Sequence, residues 1–144
     1  MPVINGDSLA TNIYAEIITE ITRGNNTIIE HAIAAAMQEA KMYLSKFDLN
    51  ILFGADPLVP DVEDNFLAGL IKDIACWRLV RLSNAGTDYP ALRENYKDAI
   101  ELLKSIMEGK MQPCGWKYAS IAVEEPAVGD SISWSSNGKR ENYY

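Results

Sequence analysis

His31 is the only histidine of the chain and the first residue to consider for metal binding or acid-base chemistry. On a helix its partner four positions on would be Ala35, so no second strong ligand shares that face. A serine nucleophile would need the same histidine as its base, and no Gly-x-Ser-x-Gly motif occurs. The pattern favours an exposed or packed histidine. We therefore expect no catalytic residue and no metal ligand.

Carboxylate pairs are a second possible source of chemistry. Glu124 and Glu125 are adjacent, and Asp61 lies close to Glu63 and Asp64. Nothing in the sequence marks these acids as buried, and acids at a helix start are favoured by the helix dipole. Gly24, Gly54, Gly86 and Gly109 stand singly at the ends of expected elements, and no Gly-rich phosphate-binding loop occurs. We expect neither an enzyme nor a cofactor.

Cysteine usage and hydropathy indicate the compartment. Cys76 and Cys114 lie far apart and form no Cys-x-x-Cys or His-Cys pattern, which favours free thiols in a reducing environment. The first residues show no basic region followed by an apolar run, and no stretch approaches the roughly 18 apolar residues of a membrane-spanning helix. We expect a cytoplasmic origin and no membrane contact.

The composition is that of a soluble globular protein. A chain of 144 residues, 48% apolar and 23% charged, can bury a core as a single domain. The formal net charge is -7, whereas phosphate binding draws on clustered Lys and Arg. The charge disfavours a general grip on nucleic acid. An acidic surface would still let a DNA duplex slide past without sticking.

Apolar spacing predicts two helices in the first third of the chain. The first is expected at residues 8–22, with Asp7 as its N-cap and a stripe at Leu9, Ile13, Ile17 and Ile21. The second is expected to open with a capping box at Thr27 and Glu30 and to run to about Phe47. Its expected apolar stripe is Ile29, Ile33, Met37, Ala40, Leu44 and Phe47. Its alanine-rich stretch at 32–36 would let another helix approach closely.

Two further helices are expected after an irregular connection. Gly54, Pro57 and Pro60 exclude regular helix from residues 48–60. Asp61 is expected to cap a third helix with a broad apolar face reaching Leu82, and such breadth predicts burial on more than one side. A fourth helix is expected from about residue 88, closed by Gly109. Its expected core stripe is Leu92, Tyr96, Ile100, Leu103 and Met107.

The character of the chain changes after Lys110. Residues 116–123 and 130–134 are typical of short strands around a turn-rich stretch at 124–129. The tail is rich in aromatic residues, namely Trp116, Tyr118, Trp134, Tyr143 and Tyr144. A tail of this composition must pack either on its own helices or on another subunit. We therefore divide the chain into a helical domain at 1–110 and an interaction arm at 111–144.

Two motifs carry a resemblance to a known family. Ile74-Ala75-Cys76-Trp77-Arg78-Leu79 matches an Ile-Ala-x-x-Arg-Leu pattern, and residues 93–99 match Arg-x-x-Tyr-x-x-Ala in a helix that ends in Gly-Lys. Over roughly residues 17–113 the chain resembles a family encoded among the structural genes of Mu-like prophages. That family is similar to the head-tail connectors, or adaptors, of tailed phages. For the tail beyond residue 110, only residues 136–144 are similar to connector C-termini.

The predicted helices indicate an all-α fold with a four-helix adaptor-like core, and the composition of the tail indicates a C-terminal extended or β-hairpin-like arm. The resemblance to phage connectors adds an expected place in the virion. It implies a homo-oligomeric ring at the head-tail junction of the virion, contacting the portal protein and head-tail stopper or tail-completion proteins, with DNA passing through. Before assembly the protein would reside in the bacterial host cytoplasm. The expected interface residues are Trp116, Tyr118, Trp134, Tyr143 and Tyr144 of the arm, with Arg78 and Arg81 of the third helix.

Two alternatives remain open. The first two helices and their Gly-containing turn have the general shape of a helix-turn-helix DNA binder. However, the second helix begins Ile28-Ile29-Glu30-His31, without the exposed Arg, Lys, Asn or Gln that read base edges. A helical adaptor outside phages would present similar surfaces. Ring assembly distinguishes the connector from both.

Overall fold

The computed structural model describes residues 4–55, 62, 64–82 and 89–120. The regular structure of these residues is helical, and the all-α class is confirmed for them. A 3-10 helix at Asp7–Thr11 precedes five α-helices, where the sequence predicted four in all. They are α1 at Ala15–Thr22, α2 at Asn26–Tyr43, α3 at Leu49–Phe53, α4 at Asn65–Val80 and α5 at Pro90–Met107.

The prediction of one continuous helix at residues 8–22 is wrong. The Asn5 side chain accepts a hydrogen bond from the Ser8 backbone N–H at 2.8 Å, and Ser8 Oγ accepts one from the Asn5 N–H at 3.0 Å. Such short polar side chains compete with the helical backbone, so a 3-10 turn forms with Gly6, not Asp7, at its N-cap. The chain then turns at Tyr14, whose backbone is extended, before α1 begins.

The second helix begins two residues earlier than its predicted capping box. Asn25 is the N-cap, and its side chain accepts from the Thr27 backbone N–H at 3.0 Å. Arg23 and Gly24 have positive φ and turn the chain between α1 and α2. The helix ends at Tyr43 instead of near Phe47. The residues predicted for its buried stripe are all buried nonetheless: Ile29, Ile33, Met37, Ala40, Leu44 and Phe47.

The connection after α2 contains a helix that the sequence interpretation excluded. Asp48 caps α3 by accepting from the backbone N–H groups of Asn50 and Ile51, and Gly54 ends the helix with φ of 75°. The one-turn helix fits in the few residues before Pro57 and buries Leu52 and Phe53. Pro57 and Pro60 lie outside the described residues.

The last two helices lie close to their predicted positions. Asp64 caps α4, not Asp61, which lies outside the described residues. Pro90 occupies the first turn of α5, and Gly109, with φ of 78°, closes that helix as predicted. Met107 and Leu82 were expected in the core but are 44% and 62% exposed. Ile106, one position before Met107, is buried in its place.

The core is organised around α4. This helix contacts α1, α2 and α5, so the prediction of burial on several sides is confirmed. The most extensive packing joins α4 to α2, where Ala32, Ala36 and Ala40 are buried and allow close approach of the two helices. The C-terminal ends of α2 and α5 and the start of α4 share one end of this bundle, because residues 116–119 and Lys46 link them.

Candidate interaction surface

An aromatic cluster of Phe47, Phe66, Trp116 and Tyr118 lies at that end of the bundle. The Trp116 ring meets Phe47 edge to face at 5.5 Å between centroids and lies 6.5 Å from Phe66. Tyr118 stacks on Phe47 at 5.0 Å with an angle of 12° between the rings. Trp116 is 6% exposed and Tyr118 is 52% exposed. The cluster is therefore buried at Trp116 and open to solvent at Tyr118.

Backbone hydrogen bonds hold the same segment, residues 116–119, against the chain between α2 and α3. The Asp48 N–H donates to the Lys117 carbonyl at 2.9 Å, and the Ala119 N–H donates to the Lys46 carbonyl at 3.0 Å. Together they form an antiparallel bridge between Phe47 and Tyr118. We call residues 116–119 the anchor segment. The first part of the predicted arm thus packs on helices of its own chain.

Asp64 joins the anchor segment to the start of α4. Its Oδ1 accepts from the backbone N–H groups of Phe66 and Leu67, at 2.7 and 3.2 Å, which caps the helix. Its Oδ2 accepts from Trp116 Nε1 at 3.1 Å. A buried indole N–H left without a partner would destabilise the fold. One carboxylate therefore satisfies both the helix end and the tryptophan.

Lysines surround this end of the bundle. The Lys46 ammonium donates to the Met107 carbonyl at 2.8 Å, at the end of α5 where backbone carbonyls lack helical partners. Lys110 pairs with Glu108 at 2.6 Å in an exposed ion pair. Lys117, within the anchor segment, is exposed. Asp48, Asp64 and Glu108 lie at the same end, so these lysines are interspersed with acidic side chains.

Arg78 takes part in a polar junction that spans three helices. Its Nη2 donates to Glu39 Oε2 of α2 at 2.6 Å, and Tyr96 of α5 donates to Glu39 Oε1 at 2.9 Å. The Tyr96 ring also stacks beside Trp77, 6.2 Å between centroids. Burial, followed by the hydrogen bond to the Glu39 carboxylate, raises the pKa of Tyr96. The junction ties α2, α4 and α5 together by side-chain contacts.

The residues predicted as an interface therefore fall in different places. Trp116 and Tyr118 lie together in the aromatic cluster, whereas Arg78 lies in the junction and is paired within the chain. Arg81 is exposed at the C-terminal end of α4. Trp134, Tyr143 and Tyr144 lie outside the described residues. Their roles as interface residues stay predictions.

Three residues of the cluster region were missed by sequence interpretation. Phe47 and Phe66 were assigned to helix stripes, and Asp64 to a solvated acidic group. A signal for Asp64 was available, because an aspartate directly before Asn65-Phe66-Leu67 is a typical N-cap. Its bond to Trp116 could not be inferred, since the two residues are distant in sequence.

His31, Cys76 and Cys114 lie in different parts of the described chain. His31 is exposed on α2, and no group of three or more metal-ligating side chains is present in this part of the chain. Cys76 is buried, and burial raises the pKa of its thiol to about 12, while Cys114 is exposed. Burial also raises the pKa of Asp73, whose carboxylate accepts from Asn12 Nδ2 at 2.6 Å. These groups are placed for packing and hydrogen bonding.

The described helices also include none with the length and apolar content needed to span a bilayer. An open groove of about 390 Å³ separates the 3-10 helix and α1 from the start of α5. Its rim includes Tyr14, which is 77% exposed, and Tyr89. The groove brings together apolar side chains and polar uncharged ones, so it supplies no acid-base pair.

The described part of the chain is thus a small all-α core whose C-terminal end carries an anchored extended segment. The family model described as "Bacteriophage Mu, Gp36" matches residues 5–117, from the first turn of the core to a point within the anchor segment. The chain belongs to this bacteriophage Mu Gp36 family and is a Mu-like phage protein. No curated protein and no solved structure matches it.

Proposed function

We propose that this protein is a structural subunit of the phage head-tail junction. Copies of the subunit form a ring between portal and tail, and the protein catalyses no reaction. Membership in a Mu phage family supports a role in the virion or its assembly. The helical core offers contacts between elements and no reactive cluster among its described residues. A rigid core of this kind suits a subunit that works by binding its neighbours.

The observation that carries the proposal is the anchor segment. Residues 116–119 are fixed to the core by two backbone hydrogen bonds, a ring stack and the Asp64 bond to Trp116. The last 24 residues of the sequence therefore start from a defined point on the bundle. They hold Trp134, Tyr143 and Tyr144, residues of the kind enriched at protein interfaces. An arm that starts from a fixed point can reach a neighbouring subunit in a reproducible direction.

The charge distribution supports a channel wall more than a DNA-binding surface. The chain has a formal charge of -7, and the exposed basic residue at the described end of α4 is Arg81. The exposed residues in the first turns of α2 are Asn26, Thr27, Glu30 and His31, a set without Arg or Lys. A recognition helix needs cations for phosphate as well as base-reading side chains. The helix-turn-helix alternative therefore receives little support.

Assembly with the portal protein tests the proposal. Light scattering and negative-stain microscopy should be performed on the protein alone and mixed with the portal of its phage. We expect rings or portal-bound complexes for the full chain and their loss when the chain ends at Ser120, a position that leaves the aromatic cluster intact. Circular dichroism must show equal helix content in both proteins. Absence of any complex with the full chain would refute the connector function.

A double variant of the arm and a single variant of the core separate the two groups of expected interface residues. Tyr143→Ala together with Tyr144→Ala removes arm side chains, whereas Arg81→Ala removes the exposed cation on the core. If the arm provides the contact between subunits, the double tyrosine variant should weaken complexes more than Arg81→Ala. The reverse order would assign assembly to the helical surface instead.

A further inference from the structure

The outer edge of the anchor segment has hydrogen-bonding groups that the rest of the described chain does not use. In the bridge between Phe47 and Tyr118, the bonds are made by the flanking residues Lys117 and Ala119. This is the non-hydrogen-bonded type of antiparallel pair, in which the two facing residues direct their own N–H and C=O groups outward. Neither backbone group of Tyr118 has a backbone partner among the described residues.

Two rings of the aromatic cluster are also incompletely covered. Tyr118 is 52% exposed and Phe66 is 42% exposed, although both rings belong to the aromatic cluster. An open edge beside an apolar surface is a template for another extended segment, and proteins usually cover such edges. Main-chain bonds would supply affinity, and side chains at alternate positions would reach the uncovered rings.

The sequence supplies a matching segment close by. Nine residues separate Ser120 from Asp130, and they include Pro126 and Gly129, which favour a reversal of direction. At residues 131–134 the polar Ser131 and Ser133 then alternate with the apolar Ile132 and Trp134. Two apolar side chains two positions apart would lie on the same face of an extended segment. That face can cover Tyr118 and Phe66.

We propose that residues 130–134 pair with the outer edge of the anchor segment in the same chain, with Ile132 and Trp134 covering the exposed side of the aromatic cluster. A short connection gives the tethered segment an effective concentration in the millimolar range. This exceeds the concentration of other copies in dilute solution, so pairing within the chain is favoured over exchange between chains. Contacts with neighbours would then fall to residues 135–144, a consequence that rests on the proposed function, whereas the pairing itself does not.

Amide hydrogen exchange at Tyr118 measures the pairing directly in the isolated protein, without portal. Its N–H should be protected in the full chain, and Trp134→Pro, which removes the indole and a backbone donor, should speed its exchange at least about tenfold. Tyr143→Pro is the matched control in the same tail and should leave the rate unchanged. Trp134→Ala is a milder variant. Its Tyr118 amide should exchange at a rate between those of the unsubstituted chain and Trp134→Pro.

Each other outcome overturns the proposal in a recognisable way. Equal Tyr118 exchange in the full chain and in Trp134→Pro, with the amides of α4 still protected, would show that residues 130–134 do not cover the edge. Protection that grows with protein concentration would assign the edge to a second copy. Protection that appears only when portal is added would assign it to a foreign segment. A failure of ring formation alone leaves the exchange result unaffected, so the two proposals are tested separately.

Discussion

The Asp64 carboxylate accepts a hydrogen bond from the Trp116 indole nitrogen at 3.1 Å while its other oxygen caps α4. The start of a central helix and the root of the C-terminal arm therefore depend on the same side chain. Loss of either partner leaves a polar group of the other without its bond. This relationship makes the aromatic cluster part of the fold as well as the base of the proposed interaction surface.

Replacement of Trp116 should show how much the cluster stabilises the protein. Trp116→Ala removes a buried ring between Phe47 and Phe66 and should lower the free energy of unfolding by about 3–5 kcal/mol. Trp116→Phe keeps a ring but loses the bond to Asp64, and should cost about 1–2 kcal/mol. Urea denaturation followed by circular dichroism measures both. Lys117→Ala, at an exposed neighbouring position, is the control, and equal stability of the two alanine variants would contradict the packing.

The junction between α2, α4 and α5 makes a second prediction. Glu39→Ala removes the acceptor of both Arg78 and Tyr96 and should lower the free energy of unfolding by about 1–3 kcal/mol, a range reduced because Arg78 is partly exposed. Glu30→Ala alters an exposed glutamate of the same helix and should change the free energy of unfolding little. Thermal and urea denaturation compare the two variants. Similar stabilities would show that the junction does not hold the helices together.

The raised pKa of Tyr96 predicts a dependence of stability on alkaline pH. Since burial and the Glu39 carboxylate both favour the neutral phenol, the folded protein holds this proton more tightly than the unfolded chain. The resulting stabilisation is complete below the ordinary tyrosine pKa of about 10 and is lost as pH rises through the higher folded value. The wild type should therefore lose more stability than Tyr96→Phe between pH 9 and 11, about the range around that pKa. Parallel curves for the two proteins would contradict this.

The two cysteines should react at very different rates. Cys114 is exposed, whereas Cys76 is buried and the pKa of its thiol is raised to about 12, so little thiolate forms at neutral pH. A thiol-specific disulfide reagent should modify Cys114 at once and Cys76 only after denaturant is added. Cys114→Ser should abolish the fast phase. A fast phase of two thiols per chain in the native wild type would show that the α4 face around Cys76 is open.

The buried faces of the helices were predicted better than the residues at which the helices begin and end. The stripe from Ile29 to Phe47 was predicted correctly because burial on one face imposes the helical period directly on the residues. The break after Thr11 depends on hydrogen bonds between Asn5 and Ser8, and the one-turn helix α3 depends on the N-cap formed by Asp48. These side-chain hydrogen bonds compete with the helix propensity of only a few residues. The hydrophobic pattern, which needs several turns of helix, does not reveal them.

The candidate surface was predicted only in part. Aromatic content drew attention to Trp116 and Tyr118, and tail packing on the chain's own helices was one of the two outcomes left open. The partners Phe47, Phe66 and Asp64 are remote in sequence and were interpreted as parts of separate elements. Pairwise contact between distant segments is set by tertiary packing, which a single sequence does not reveal. Arg78 pairs with Glu39 of its own chain, a partner that could not have been chosen among the many acids of the sequence.

The bridge between Phe47 and Tyr118 also has a consequence for synthesis of the protein. Phe47 leaves the ribosome long before the anchor segment, so α2 through α5 can collapse while the ring faces that receive Trp116 and Tyr118 are still uncovered. Nascent or prematurely terminated chains that lack the anchor segment would expose this apolar end and associate with one another. Emergence of the anchor segment thus closes this end of the core.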